Sequence, residues 1–370
     1  MRITAVELRR IRIPFRSPVR TAAGTSAARH VLLVRVQSSV GEGWGECAAL
    51  EEPTYTEEYV EGACAVMRVH LVGRLAALGD AVHSDAVAAA LAPVRGHRMA
   101  KAALEMAVLD AELRAAGTSL AHRLGASRPT VAAGVAVGIA GSIPALLDEV
   151  AMAVEEGYGR VRLKIAPGWD VLPVRAVRER FPALAVHADA NGSYQLGDVD
   201  HLALLDPFGL AMIEQPLAPD DLAGSAELAG RIATPICLDE SITSARVAAT
   251  AIGMGATRVV NVKPGRVGGY LEARRVHDVC VAAGVPAWCG GMFETGLARR
   301  ANLALAALPG FTLPGDLAPP SRYLTGDIVP ALVAGRGRLD VPDGVGIGAD
   351  VDLDAVRDYT VATESVPLRS

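Results

Sequence analysis

The stretch GYGRVRLKIAPG, residues 157–168, reads as a β-strand whose two faces differ. Side chains alternate along a strand, so Val161 and Leu163 lie on one face while Arg162 and Lys164 lie on the other. The Pro-Gly pair at the end of the stretch stops the strand. Because such an apolar face packs against helices, the strand is expected in a sheet covered by helices, with its two cations turned to the other side.

Strands of this kind alternate with helical patterns from residue 130 onward. The β-rich runs are VAAGVAVGI, VRLKIAP, LAVHADAN, LAMIEQPL, PICLDES, RVVNVKPG, VPAWCGGM and FTLPGD. Parallel pairing of eight such strands through right-handed helical crossovers predicts an α/β protein with a closed (β/α) barrel. The alternative, an open doubly wound sheet, needs a glycine-rich phosphate loop after its first strand, and GIAG (138–141) is followed by no such pattern.

The first 127 residues follow a different pattern. ITAVELRRIRIPF and HVLLVRVQSS predict antiparallel strands, and helical periodicity follows at 54–76, 81–93 and 98–116. From about Tyr323 the sequence returns to turns and short strands. We therefore expect an α+β domain over 1–127, a barrel domain over 128–322 and a C-terminal tail over 323–370 that packs back on the first domain.

Composition excludes several classes of protein. With 51% hydrophobic and 21% charged residues the chain is too apolar for disorder, and no apolar run is long enough for a membrane span. MRITAVELRR has no signal-peptide core, which predicts a cytoplasmic protein. A net charge of -5 without a Lys/Arg cluster argues against nucleic acid, and five cysteines without a Cys-x-x-Cys pair argue against disulfides and structural zinc. Small-molecule chemistry is the class that remains.

Five charged residues recur with a nearly constant period at the strand ends. Lys164, Asp189, Glu214, Asp239 and Lys263 are separated by 25, 25, 25 and 24 residues. The apolar alternates of each strand face the helices, so these charges face the barrel axis. Active sites of (β/α) barrels lie at the C-terminal ends of the strands, where all five fall.

The three carboxylates among them predict a metal site. Asp189, Glu214 and Asp239 come from neighbouring strands, and the sequence places no cation between them. Three like charges in a desolvated site require neutralisation, and an all-carboxylate oxygen set suits Mg²⁺, with Mn²⁺ as second choice. The alternative for each carboxylate taken alone is an ordinary helix N-cap or ion pair, but three in register make that interpretation weak.

The two lysines predict acid/base chemistry. Lys164 on strand two and Lys263 on strand six flank the metal from opposite sides, and Arg162 and Arg266 are the nearby cations expected to lower a lysine pKa towards that of a usable base. A metal that binds a substrate carboxylate stabilises the enediolate formed when the α-proton leaves. If the second lysine returns a proton, the outcome is racemisation or epimerisation; if it only stabilises charge, the outcome is β-elimination or cycloisomerisation.

These residues resemble the enolase superfamily in its muconate lactonizing subgroup. The similar motifs are LKIAPGWD, DAN, IEQPL, LDES, VKPGRVGG and WCGGMFETG, and GEGWGEC, GHRMAKAALEMAVLDAELRA, DPFGL and LPGD are further similar to the branch of N-acylamino acid racemases and o-succinylbenzoate synthases. The resemblance implies a modified (β/α)7β TIM-type barrel, a capping domain completed by the C-terminal tail, Mg²⁺ on the three carboxylates and a homo-oligomer. It also implies substrate-binding residues, namely Asn191, Arg162, Tyr55, Gly291, Met292 and Phe293.

The sequence departs from this branch in ways that bear on specificity. Arg162 stands where relatives have a lysine, and Phe293 where many have a smaller aliphatic residue. The capping loop, RSPVRTAAGTSAARH, carries Val19, Ala22 and Ala23 where relatives place aromatic rings, and we expect it to be mobile without ligand.

The resemblance to this family is compatible with several activities. The first choice is Mg²⁺-dependent racemisation of N-acyl, especially N-succinyl, amino acids, with o-succinylbenzoate synthesis as a second or main activity. Dipeptide epimerase and muconate-type cycloisomerase are further alternatives. A catalytically idle barrel that serves as a binding protein is the alternative from another class, and metal-dependent deuterium exchange into a substrate distinguishes it from an enzyme. The sequence leaves the preferred acyl group and side chain open.

Overall fold

The strand Arg160–Lys164 lies second in a parallel sheet of seven strands in the computed structural model, which describes residues 1–21 and 24–368. The strands follow one another in chain order across the sheet. Barrel strands 1 to 7 are Val135–Val137, Arg160–Lys164, Ala185–Asp189, Ile213–Glu214, Ile236–Leu238, Val259–Val262 and Ala287–Cys289. Neighbouring strands that are consecutive in the chain and parallel require a helical crossover between each pair.

A helix follows each barrel strand, and polar caps fix several of the starting points. Ser142, Asp170, Asp221 and Ser244 each accept a backbone N–H at the first turn of the helix that follows. The helices of this region are Ile143–Glu155, Val171–Arg180, Val199–Leu202, Leu222–Arg231, Ala245–Gly253, Pro264–Val267, Tyr270–Ala283 and Gly296–Ala306, and its 3₁₀ helices are Leu196–Asp198, Ala203–Phe208 and Pro320–Arg322.

The eighth predicted strand, FTLPGD, is reduced to two bridges that close the barrel. Phe311 pairs in parallel with Ala287 of strand 7, and Gly315 pairs in parallel with Ala133 just before strand 1. Pro314 lies between them and has no N–H to donate, which explains why no continuous ladder forms. The seven strands and this closing segment confirm the expected α/β fold, a modified barrel joined to a separate N-terminal sheet.

The first predicted strand divides at Gly134. Residues Thr130–Ala132 pair antiparallel with Arg338–Asp340, outside the barrel, while Val135–Val137 pair with strand 2. A Cβ at Gly134 would approach Arg160 Nε to 2.6 Å, so the glycine lets the chain pass close to that guanidinium.

The N-terminal residues form a four-stranded antiparallel sheet with helices on one side. Its strands, in spatial order, are Thr360–Val366, Ile3–Thr21, Gly24–Ser38 and Gly41–Cys47, so the last strand of the chain joins the first. The helices are Val60–Val66, Val72–Ala76, Ser84–Leu91, Arg98–Ala115, Leu120–Leu124 and Leu353–Tyr359, with a π-helical turn at Met67–Leu71 and a 3₁₀ turn at Gly79–Ala81. The helix predicted from residue 54 begins at Val60, because residues 51–57 form bends.

The two faces of this sheet bury different partners. Leu32 and Val34 belong to the core formed with the N-terminal helices, whereas the alternate residues Val31 and Leu33 belong to the core shared with the barrel. The sheet therefore lies between its own helices and the barrel, and the period of two decides which side chains reach each.

Part of the predicted capping loop belongs to the long hairpin of this sheet. Ala22 and Ala23 lie outside the described residues, as does the side chain of Val19. Among the residues that the structure describes, none of the helices has the length and apolar character needed to cross a bilayer.

Candidate active site

The five periodic charges meet at the C-terminal end of the barrel. Lys164 pairs in register with Asp189, and Asp189 pairs in register with Glu214, so three neighbouring strands carry them side by side. Asp239 and Lys263 each follow the last residue of strands 5 and 6. The three carboxylate residues are fully buried. The period of 25 residues thus brings together the predicted cluster.

Arg162 lies between two of these carboxylates, which corrects one premise of the sequence analysis. Its Nη1 lies 2.9 Å from Asp189 Oδ2 and 3.3 Å from Glu214 Oε2, and its Nη2 pairs with Asp316. The expectation that no cation separates the carboxylates was therefore wrong. Arg162 shares a strand face with Lys164, and its longer, forked side chain reaches sideways to the next two strands.

A second layer below this cluster fixes Glu214. Its Oε1 accepts a hydrogen bond of 2.7 Å from Asn261 Nδ2, and its Oε2 lies 3.1 Å from His187 Nε2. His187 Nδ1 lies 2.9 Å from Arg160, which forms a 2.8 Å ion pair with Asp316. Burial favours the neutral acid, but Arg162 and His187 outweigh it and hold the pKa of Glu214 well below its usual range.

Lys164 is held by partners from the barrel alone. Its Nζ lies 2.6 Å from Asp189 Oδ2 and 2.5 Å from Asn191 Oδ1, and its side chain is 26% exposed. Asn191 has a φ of 44°, in the left-handed region that asparagine tolerates better than most residues. Its Nδ2 donates to Glu240 Oε1 at 2.9 Å, so the amide bridges the lysine to a buried carboxyl group.

Lys263 is covered by a residue of the N-terminal region. Its Nζ lies 2.8 Å from Asp239 Oδ2 and donates to Tyr55 Oη at 3.0 Å, and its side chain is only 5% exposed. The Tyr55 hydroxyl lies 3.2 Å from Asp239 Oδ1, which also pairs with Arg266. Two cations and a hydroxyl thus converge on one carboxylate.

Burial and Arg162 lower the pKa of Lys263, but Tyr55 and Glu240 outweigh them and hold it above its ordinary value. The lowering expected beside a bound metal stays a prediction. Arg266, the predicted tuning residue, directs its Nη1 to Asp239 and its Nη2 to the carbonyl of Asn261. Its effect on the base stays a prediction.

The segment after strand 7 carries the three other predicted substrate-binding residues. A Cβ at Gly291 would lie 2.7 Å from the backbone carbonyl oxygen of Asp316, so the position requires glycine. Met292 is buried and packs with the core of the N-terminal helices. Phe293 is 36% exposed with a φ of 56°, and its ring packs edge-on against Phe15, with centroids 5.8 Å apart.

Several residues of the site were missed by the sequence analysis. Arg160 continues the alternation of Arg162 and Lys164 one step deeper, and Asp316 ends the segment that closes the barrel, so both had a signal in the strand pattern. Glu240, directly after Asp239, is buried, and its Oε2 has no hydrogen-bond partner within the described part of the chain. Its side chain belongs to a turn, where no periodicity predicts direction.

In the structure, the three carboxylates at the strand ends form ion pairs with lysine and arginine side chains. Within residues 1–21 and 24–368, no three Asp, Glu, His or Cys side chains are arranged to hold a metal ion. The donor set nevertheless fits a hard divalent cation: three buried carboxylates at adjacent strand ends, two of which already share the positive charge of Arg162.

Comparison with known proteins identifies the family. Residues 3–125 match the family described as Mandelate racemase / muconate lactonizing enzyme, N-terminal domain, and residues 145–355 match Enolase C-terminal domain-like. The chain belongs to the enolase superfamily. A solved structure of an enolase superfamily member from Listeria innocua superposes with a TM-score of 0.95 at 36% identity and covers 100% of both chains.

Two curated relatives are similar over nearly the full length. An N-succinylamino acid racemase from Amycolatopsis is 57% identical over 98% of each chain. An o-succinylbenzoate synthase from Geobacillus stearothermophilus is 43% identical over 97% of this chain and 96% of the relative. These matches confirm the expected superfamily and the expectation that the protein is an enzyme, and they leave no support for an idle barrel.

Proposed function

We propose that the protein racemises N-succinyl amino acids with the help of Mg²⁺, by removing and returning the proton next to the substrate carboxylate. The observation that carries the proposal is the pair of lysines on strands 2 and 6, opposite one another across three buried carboxylates. The 57% identity with a racemase of that name supports the substrate class.

Asp189, Glu214 and Asp239 are the residues that would hold the metal, Mg²⁺ or alternatively Mn²⁺. When bound, the ion would neutralise the substrate carboxylate and stabilise the negative charge that develops as the α-proton leaves. Each of the three carboxylates already neutralises a cation of the protein, and binding requires at least Arg162 to release part of its contact.

Lys164 and Lys263 act as the acid/base pair. The neutral lysine takes the α-proton on its own face of the substrate while the ammonium of the other lysine delivers a proton to the opposite face, which inverts the carbon. Their carboxylate partners keep each Nζ directed to the barrel mouth, since Asp189 and Asp239 each accept from one lysine.

Arg266 is proposed to favour racemisation over dehydration. It shares Asp239 with Lys263, so part of the negative charge that stabilises the Lys263 ammonium is drawn to the guanidinium. Removing Arg266 should therefore stabilise the Lys263 ammonium, leave less of the neutral amine that can accept the α-proton, and reduce racemisation more than a reaction that needs only a fixed cation.

The substrate is a small-molecule carboxylate, bound by Asn191, Arg162, Tyr55, Gly291, Met292 and Phe293. Asn191 and Tyr55 support this role because each contacts one of the two lysines. Phe293 supports it because its ring is partly exposed.

The second candidate is o-succinylbenzoate synthase activity, as a side activity or the main one. The 43% identity with a synthase over nearly the whole chain favours it. That reaction needs Lys263 only as an ammonium that stabilises an anion. Dipeptide epimerisation and muconate-type cycloisomerisation remain as further activities to test.

We propose domains over 1–127, 128–322 and 323–370, supported by the sheet that joins Thr360–Val366 to Ile3–Thr21. We also propose a homo-oligomer in the cytoplasm.

The experiment is a screen of the purified protein with Mg²⁺. N-succinyl and N-acetyl amino acids of both hands are followed by loss of optical rotation, and dehydration to o-succinylbenzoate is followed in parallel. Racemisation of N-succinyl substrates with kcat/KM above that of dehydration supports the proposal. Dehydration alone would establish the synthase instead.

A further inference from the structure

The helix Gly296–Ala306 begins directly after the segment 290–294 that carries Phe293, and its first N–H groups are all satisfied. The Gly296 N–H donates to both oxygens of Asp327 at 2.9 Å, and the Leu297 N–H donates to Thr295 Oγ1 at 3.3 Å. The Ala298 N–H donates to Glu46 Oε2 at 3.3 Å. Two of these acceptors, Asp327 and Glu46, come from distant parts of the chain.

Among the acceptors at this helix start, Glu46 accepts the most hydrogen bonds. Its Oε1 accepts the N–H of the N-cap residue Thr295 at 3.0 Å, and its Oε2 accepts the Thr295 hydroxyl at 2.5 Å. With Ala298, one side chain thus accepts three hydrogen bonds at a single helix start. Glu46 is 5% exposed, so no water competes freely for these donors.

The strand Gly41–Cys47 directs Glu46 to this position. A Cβ at Gly45 would overlap the carbonyl oxygen of Ala103, and one at Gly43 that of Ala107, so the glycine face lies flush on the helix Arg98–Ala115. The alternate residues, Trp44 and Glu46, point away from that helix, and Trp44 packs in the core shared with the barrel. The motif GEGWGEC therefore delivers a carboxylate from the N-terminal region to the barrel.

The residue before the cap is tied to the same helix. Glu294 accepts hydrogen bonds from Arg299 at 2.8 Å and from Asn302 at 3.0 Å, and its backbone carbonyl accepts from Tyr323 at 2.6 Å. Tyr323 also packs edge-on against Phe293, with ring centroids 5.3 Å apart. The position of the helix start is thus transmitted to Phe293 through one residue of backbone.

We propose that Glu46 is a positioning residue, which fixes the segment 290–294 by capping the helix that follows it and so helps to select the substrate side chain. The second half of this statement rests on the proposed function, in which Phe293 contacts substrate. The first half concerns only the structure of the free protein.

Glu105 provides a matched control. It is buried, lies in the N-terminal region like Glu46, and accepts the Leu271 N–H at 3.1 Å near the start of the barrel helix Tyr270–Ala283. Its contacts do not involve the segment 290–294. Loss of Glu105 should weaken the junction between the two parts of the molecule and disturb Phe293 less than loss of Glu46, since its link to Glu294 passes through Tyr270 and Asn302.

The choice of variant takes the surroundings of Glu46 into account. A cavity of about 20 Å³, large enough for one water, is lined by Glu46, Met292, Lys263 and Glu294 among others. Glu46→Ala would enlarge it, whereas Glu46→Gln preserves the shape and one acceptor oxygen. Glu46→Gln therefore tests the role if Glu46→Ala does not fold.

The experiment combines amide hydrogen exchange of the full-length free protein with kinetics on N-succinyl amino acids of large and small side chain. In Glu46→Ala we expect exchange at 295–298 to rise on the order of tenfold, and less in Glu46→Gln, because the lost acceptors protect those amides. Glu105→Ala should raise exchange near 270–272 instead. The KM ratio between large and small substrates should shift severalfold in the Glu46 variants and clearly less in Glu105→Ala, with kcat changing less than KM.

Unchanged exchange at 295–298 in both Glu46 variants would overturn the proposal, as would an equal shift of the KM ratio in Glu105→Ala. If the wild-type protein racemises no N-succinyl amino acid, the proposed function fails, and the exchange result still decides whether Glu46 fixes the segment.

Discussion

The two lysines of the barrel mouth have different surroundings. Lys164, 26% exposed, is held by Asp189 and Asn191, which belong to the barrel. Lys263, 5% exposed, is held by Asp239 and by Tyr55, which belongs to the N-terminal region. The barrel alone therefore builds one side of the site, and the other side is complete only when the N-terminal region is in place.

Under the proposed function, the two lysines serve opposite faces of one carbon from unequal surroundings, since Lys164 is partly exposed and Lys263 is enclosed. Changes in the N-terminal region should then slow α-proton exchange of the two enantiomers unequally. Changes at the shared carboxylates should slow exchange of both enantiomers.

The largest effect is expected from Glu214→Gln, which removes the charge common to both sides. The neutral amide weakens metal binding and removes one of the buried carboxylates beside Arg162 and the carboxylate beside His187. We expect turnover of both enantiomers to fall at least 10³-fold, since several kcal/mol of transition-state stabilisation is lost. Mn²⁺ binding measured by electron paramagnetic resonance should weaken in parallel, with a far-UV spectrum like that of the wild type. Turnover within tenfold of wild type would contradict the assignment of Glu214.

A smaller and one-sided effect is expected from Tyr55→Phe. The change keeps the ring beside Lys263 but removes the hydroxyl that contacts both Lys263 and Asp239. Exchange of the α-proton of the enantiomer served by Lys263 should slow on the order of tenfold. Asn191→Ala, which removes a partner of Lys164, should slow the other enantiomer instead. Deuterium incorporation followed by NMR for each enantiomer checks both, and equal slowing of the two enantiomers in Tyr55→Phe would refute the asymmetry.

Much of the barrel side could be predicted from the sequence, because strand periodicity fixes which way a side chain points. The positions of Lys164, Asp189 and Glu214 follow from alternation and from the regular length of each β/α unit. Alternation did not predict that the last strand, FTLPGD, is reduced to two bridges, because Pro314 interrupts its backbone hydrogen bonding.

Contacts between distant segments were beyond the same reasoning. Nothing local in the sequence predicts that Arg162 reaches two neighbouring strands while Asp316 holds its other end. Likewise, the contact of Glu46 with Thr295 depends on how the N-terminal sheet packs on the barrel. Such contacts depend on tertiary packing and side-chain reach, which period and spacing do not encode.

A further effect concerns stability rather than turnover, at the two buried glutamates that join the N-terminal region to the barrel. Burial raises the pKa of both Glu46 and Glu105 to about 7, from ordinary values of 4.5. Folding thus favours their protonated forms, so their contribution to the free energy of unfolding is full below pH 4.5 and is lost as the pH rises through about 7. The advantage of the wild type over Glu46→Gln in urea unfolding should therefore fall by on the order of 3 kcal/mol over this range. An advantage that increases with pH would contradict the sign.

The central claim is that Lys164 and Lys263 serve opposite faces of the substrate α-carbon. The most direct test is α-proton exchange of each enantiomer of an N-succinyl amino acid in D₂O with Mg²⁺, using Lys164→Ala and Lys263→Ala. We predict that each change lowers the racemisation rate by about 10²- to 10⁴-fold or more, the usual contribution of general acid/base catalysis. Each variant should still exchange the α-proton of one enantiomer, and the two variants should exchange different enantiomers. Racemisation near the wild-type rate in either variant, or exchange of the same enantiomer in both, would contradict the claim.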